Sequence, residues 1–312
     1  MFQRELAGTT HYIRAWRLFT KQKIVPVSAL LTGATVWGLI WYPYRVLQEA
    51  GIAGDIATFI TYFLALLVGL LVYRGAFKEI GRAPWIVLWI GLSAGWTNLA
   101  YVLAVIEGEV VRVLLLFYLA PLWTVILAGT LLEERINVYG LLVVILSLAG
   151  AVTMLWHLES GWPLPQNSAE WLGLSAGFMF AVSNVLARKA HGISLQLKAL
   201  SIWAGVALFG LAAAAGTGHG LPSWLGGYDG LLLLLVALVI FLVNPVVQYG
   251  LSHVSANRAI VIFMFELVVG AVSAYVLADE ALSLRDAIGG AMIIAASLLS
   301  GRLELEPQEN PA

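Results

Sequence analysis

Polar positions along this chain are confined to short intervals between long apolar runs. A membrane-crossing helix needs roughly 20 mostly apolar residues. Ten stretches meet that need: about 25–47, 54–73, 84–105, 110–131, 136–156, 170–188, 196–216, 229–250, 257–278 and 285–301. The link between the fifth and sixth runs, "HLESGWPLPQNSAE", contains two prolines and no Lys or Arg, and it divides the runs five and five. The pattern predicts an all-α integral membrane protein. Its expected parts are a basic cytoplasmic N-terminal tail (1–23), a first five-helix repeat (24–157), a connecting loop (158–169), a second five-helix repeat (170–302) and a C-terminal tail (303–312).

Composition strengthens that reading. Of 312 residues, 61% are hydrophobic and 11% charged, against about 25% charged in average soluble domains. The mean hydropathy is +0.89, more apolar surface than a soluble core absorbs. The net charge of −1 points to no nucleic-acid partner. With no cysteine, thiolate nucleophiles, disulfides and Cys-ligated metals are excluded. The five His residues show no metal-ligand spacing, and no ATP-binding segment is present, so any pumping is secondary. Neither a metal nor another cofactor is expected. The N-terminal segment lacks the layout of a secretory signal. Its "HYIRAWRLF" reads either as a basic aromatic helix on the membrane surface or as a cytosolic tail.

Charge also sets orientation. With the N-terminus inside, fourteen Lys and Arg fall on the inner side, and only Arg45, Arg112 and Arg285 fall outside. That asymmetry predicts cytoplasmic termini in a multi-pass protein of the cell's inner membrane.

The two halves resemble each other. At an offset of 146 residues Asn98 falls on Asn244, Arg112 on Arg258, Pro121 on Leu267 and Glu134 on Glu280. "RVLLLFYLAPLWTVILAGTLLEE" lies over "RAIVIFMFELVVGAVSAYVLADE" without a gap. Five crossings per half turn the second half upside down. The expected fold is therefore ten transmembrane helices in two inverted-topology five-helix repeats. Many secondary transporters are built this way, with the substrate near the midplane between repeats.

A proline, a small and apolar run and a Glu at the helix end recur as "APLWTVILAGTLLEERI" and "FELVVGAVSAYVLADEALS", and "VWG" stands at 36–38. These residues resemble the drug/metabolite transporter superfamily, EamA type, over about residues 25–302. The resemblance implies ten helices, alternating access and export of small metabolites. One departure concerns the ninth span, where the family often carries Glu-Pro and this chain has Glu266-Leu267.

Glu266 stands alone in an apolar run from Ala259 to Ala278. A charged carboxylate at the bilayer centre costs on the order of 3 kcal/mol. It is tolerated where it faces the bundle or takes up a proton, so Glu266 reads as the proton-coupling group. Trp37, Trp41 and Arg45 are spaced i, i+4, i+8 and share one helix face, and Pro43 favours a kink there. An aromatic wall ending in a guanidinium suits a ligand with a ring and a carboxylate, whereas Arg45 reaching lipid headgroups is the competing reading. Asn98, Tyr101, Tyr118, Asn184, Asn244 and Gln248 are the polar groups that would line the cavity with them. Arg112 reads as an anchor or gate partner of Glu107 or Glu109. "GLSAG" at 91–95 and at 173–177 reads as close helix packing.

The expected function is export of amino acids or related amphipathic compounds in exchange for protons. An uptake permease, or a membrane scaffold or sensor that transports nothing, are the alternatives. The expected partners are a small-molecule substrate, protons and the lipid bilayer. Trp and Gly on lipid-facing sides would support a homodimer, which nothing in the sequence demands.

Overall fold

The computed structural model describes residues 24–82, 84–131, 138–156, 164–190, 192–220, 227–253, 262–263 and 265–300. Among the described residues the regular structure is helical, with no strand. In chain order the long helices are α1 (Ile24–Glu49), α2 (Gly54–Val72), α3 (Pro84–Glu107), α4 (Val110–Leu131) and α5 (Val138–Leu155). They continue with α6 (Ser168–Lys189), α7 (Leu195–Thr217), α8 (Gly227–His253), α9 (Phe265–Ala278) and α10 (Leu284–Ser300). A 3-10 helix, Arg74–Arg82, joins α2 to α3. Among the described residues, seven helices are long and apolar enough to cross a membrane, and α5 and α9 contribute shorter apolar helices. The chain is a multi-pass membrane protein. Residues 1–23, the "LEERI" that ends the first family motif and Arg258 lie outside the described residues.

Two helices are interrupted where proline predicts it. Proline lacks the N–H that would bond the carbonyl four residues back. α1 is interrupted at Ile40, just before Pro43, and resumes at Trp41–Glu49. α4 consists of Val110–Phe117 and Ala120–Leu131, with the break at Tyr118–Leu119 just before Pro121. In α8 the helix runs through Pro245.

Several helix starts are set by local capping. Asn167 accepts a hydrogen bond from the Glu170 N–H at 2.9 Å, while Glu170 accepts one from the Gln166 N–H at 3.0 Å, a reciprocal cap for α6. Ser194 caps α7 through the Leu197 N–H, and Ser283 caps α10 through the Asp286 N–H. The α7 terminus turns on Gly218, whose φ of +76° is in the left-handed region.

Packing joins the two halves of the chain. α2 packs on α7, α4 on α9 and α5 on α10. α3 also packs on α6 and α7, and α8 correspondingly on α1 and α2. Exchanging each of these helices for the one five places along maps these pairs onto one another. Directions follow from which termini meet. One end of the bundle gathers the C-terminal ends of α1, α3, α5, α7 and α9 with the starts of α2, α4, α6 and α10. The members of the pairs α1/α6, α2/α7, α4/α9 and α5/α10 therefore point in opposite directions.

Glycine permits the closest approaches. Gly91 and Gly95 of α3 meet Gly205 of α7 backbone to backbone. Gly173 and Gly177 of α6 lie on Val113 and Phe117 of α4. Both "GLSAG" stretches are thus helix-packing sites, as the sequence suggests. The outward faces carry large apolar side chains such as Leu71, Trp85, Leu208 and Val276, the surface a lipid environment requires.

Candidate substrate and proton site

Glu266 sits in the first turn of α9 and is 8% exposed. Its carboxylate lies 2.8 Å from the Tyr118 hydroxyl, which also lies 3.1 Å from the Phe263 carbonyl oxygen. Tyr118 is presented by the break in α4, where Phe117 gives way to Leu119. At 1.5 Å per residue the break is about 12 Å along α4 from its start at the ion-paired end, well inside a hydrocarbon core about 30 Å thick. α1 meets the same point through Gly38, where an added Cβ would stand 2.9 Å from the Glu266 carbonyl oxygen.

The Tyr101 hydroxyl of α3 is buried, without a hydrogen-bond partner among the described residues, and within electrostatic reach of Glu266. Tyr101 stacks edge-on against Phe117 with ring centroids 5.5 Å apart. Phe117 in turn touches Tyr118 at 5.8 Å and Phe180 of α6 at 5.1 Å. Phe180 is 39% exposed, and Asn184, one turn along, is exposed as well. An aromatic cluster therefore connects an exposed face of α6 with the buried carboxylate. Phe117 and Phe180 are the residues that sequence reasoning missed. Nothing in an apolar run marks one phenylalanine above another.

Trp41 is 1% exposed, and its indole N–H donates to Ser273 Oγ of α9 at 3.0 Å. The Arg45 guanidinium stacks over the Trp41 ring at 4.9 Å, so the i, i+4 spacing does bring the two together. Arg45 donates to Glu280 at 3.0 Å, to the Val105 carbonyl at 2.8 Å and to the Gly108 carbonyl at 2.5 Å. Its partners are thus a carboxylate and two helix-end carbonyls. Trp37 is half-buried and packs against the core. Asn98 is internally paired: it accepts from the Tyr62 hydroxyl at 2.7 Å and donates to the Ala94 carbonyl at 2.8 Å. Asn244 is half-buried in α8. The Gln248 side chain lies outside the described residues.

The ion-paired end closes over this site. Glu280, just beyond α9, holds Arg45 and also accepts the Val111 N–H at 3.4 Å. Arg112 of α4 binds Glu170 of α6 at 3.0 Å and faces Asp286 of α10 at 3.6 Å. Its expected partners, Glu107 and Glu109, are displaced because the α6 and α10 starts bring their own buried acids to it. Asp55 of α2 accepts from the Thr217 hydroxyl at 2.9 Å and pairs with His219 at 2.8 Å. Each of these pairs joins one half of the chain to the other. All three arginines assigned to one side by the charge count, Arg45, Arg112 and Arg285, stand at this end. Lys78 and Arg82 belong to the 3-10 helix beyond the opposite end of α2.

Comparison with known proteins agrees with this architecture. The model of the EamA-like transporter family matches residues 25–156 and 167–302. An uncharacterized transporter of Archaeoglobus fulgidus is 28% identical over 287 residues, covering 88% of this chain and 96% of that protein. An uncharacterized transporter of Pseudomonas aeruginosa is 27% identical over 179 residues, covering 55% of this chain and 57% of its own length. A solved crystal structure superposes with a TM-score of 0.58 at 18% identity, covering 88% of this chain and 96% of that one, a likeness of fold alone. With family segments over both halves, the chain belongs to the EamA-like transporter family of the drug/metabolite transporter superfamily.

Proposed function

We propose that this transporter exports small amphipathic metabolites, amino acids or related compounds, in exchange for protons. The observation that carries the reading is Glu266: a buried carboxylate where the two halves meet, held by a tyrosine hydroxyl and by no basic side chain among the described residues. Such a group is costly in a membrane interior unless it takes up a proton or a ligand. The chain is read as ten crossings in two inverted repeats, 24–157 and 170–302. Supporting this are the helix pairs that map onto one another five places along, the opposed directions of paired helices and the family match in two segments. Both termini are cytoplasmic in this reading, and the ion-paired end faces outward from the inner membrane.

In the cycle, Glu266 binds a proton from outside and releases it inside as substrate moves outward, while the halves rock about their shared boundary. Trp37, Trp41, Tyr101, Tyr118, Asn98, Asn244, Gln248 and Asn184 line the substrate path. Arg45 closes the outer end through Glu280. The reading is tested by comparing medium metabolites from cells carrying empty vector, wild type or Glu266→Gln at matched membrane levels. One compound class accumulating outside only with wild type is the expected result. Equal release by wild type and Glu266→Gln would remove the proton role and keep transport. Depletion of a compound from the medium would reverse the direction.

A further inference from the structure

The contact between Tyr118 and α9 contains more acceptors than protons. A tyrosine hydroxyl has one hydrogen and accepts through its oxygen. Here it lies within bonding distance of two acceptors, Glu266 Oε2 at 2.8 Å and the Phe263 carbonyl at 3.1 Å. With Glu266 ionised, the one proton goes to the carboxylate, the charge-assisted bond. The Phe263 contact then has no proton in it. With Glu266 protonated, the carboxylic acid donates to the Tyr118 oxygen, and Tyr118 donates onward to the Phe263 carbonyl. Both contacts then carry a proton, and the Phe263 carbonyl gains a donor.

We propose that Tyr118 is a positioning residue that reports the protonation of Glu266, reversing its hydroxyl between the carboxylate and the Phe263 carbonyl. The proton balance is closed: one proton added to Glu266 reorients one hydroxyl, and nothing else is consumed. The consequence is mechanical. Tyr118 stands at the break in α4, and Phe263 and Glu266 straddle the start of α9. Adding the proton inserts a bond to the backbone just before α9, so it tightens the joint between the halves, and losing the proton removes that bond. The ion-paired end is closed in the geometry that satisfies both contacts. Proton uptake is thus linked to closure at that end.

The surroundings leave Glu266 few competing groups. Among the described residues, the titratable side chains that face it are Tyr118 of α4 and Tyr101 of α3. α1 approaches with Gly38. No charged side chain bonds to it among the described residues, and Arg45 is engaged by Glu280.

This inference rests on the proton role of Glu266, and the test separates the two. Purified protein in lipid is titrated while its infrared spectrum is recorded, with no substrate needed. As pH falls, the other acids of the chain give carboxylic-acid bands in both proteins, and one further band is expected in wild type that is absent in Glu266→Gln. In protein carrying ring-deuterated tyrosine, one tyrosine band should change over the same pH interval, a measurement that leaves the fold untouched. In Tyr118→Phe the carboxylic-acid band should move in frequency and titrate at a different pH, and the coincident tyrosine change should vanish. A spectrum of Glu266→Gln that gains the same carboxylic-acid bands as wild type overturns the proton role itself. A Glu266 band that titrates with no coincident tyrosine change, or is unmoved in Tyr118→Phe, overturns the switch and leaves the proton role standing.

Discussion

A buried hydroxyl without a partner is a cost that needs a reason. Tyr101 carries one beside Glu266, and such a group costs roughly 1–3 kcal/mol when it replaces contact with water. If the hydroxyl serves substrate, Tyr101→Phe should unfold at the same temperature as wild type or higher, while export of the cellular compound falls several-fold. Thermal unfolding in detergent and the metabolite comparison read the two effects on the same variant. Glu266 itself is legible in sequence, because a lone carboxylate in an apolar run needs a physical explanation. Its hydroxyl partner is not: Tyr118 lies 148 residues away, and only the fold of α4 onto α9 brings them together. The Trp41–Arg45 stack is legible from spacing alone. That Ser273 and Glu280 take up their polar atoms depends on a helix distant in sequence. The buried acids Glu170 and Asp286 could have been found, since each follows a capping residue by three positions.

At the scale of elements, length and hydropathy locate the helices, because each bilayer crossing is long enough to show as one run. The "GLSAG" runs mark α3 and α6 as close-packing helices, but they do not name their partners, since small residues occur on many faces. Gly205 is the partner that matters most. An added Cβ there would run into the Gly91 backbone, which no side-chain rotation relieves. Gly205→Ala should cost about 1–3 kcal/mol, as overpacking does, and should lower the unfolding temperature. Gly216, on the same helix, has nothing within 4 Å of an added Cβ. Gly216→Ala should be neutral or should stabilise by up to about 1 kcal/mol. Equal loss in both variants would mean that the α3–α7 crossing does not set the effect, since helix propensity alone favours Ala at both positions.

For the whole molecule, the charge count places three arginines on one side, and the fold makes them the bolts between halves. Under the alternating access proposed above, such contacts break to open that end. A partly buried, charge-assisted bond contributes about 1.5–3 kcal/mol, and each roughly 1.4 kcal/mol is tenfold in a population. Removing Glu280's charge should therefore raise the open population about ten- to a hundredfold. The chain has no cysteine, so one introduced thiol reports without background. Ser273 is 6% exposed and bonded to Trp41, whose ring is stacked by Arg45, the partner of Glu280. With that end facing outward, as proposed, a membrane-impermeant maleimide added outside cells should react slowly with Ser273→Cys. Adding Glu280→Gln should speed labelling by about the change in open population. Glu49→Gln, an exposed acid at the same end, should leave the rate unchanged. Faster labelling with Glu280→Gln alone makes the Arg45–Glu280 pair part of the outer gate. An unchanged rate would mean that the Arg112 and Asp55 contacts hold the end shut without it.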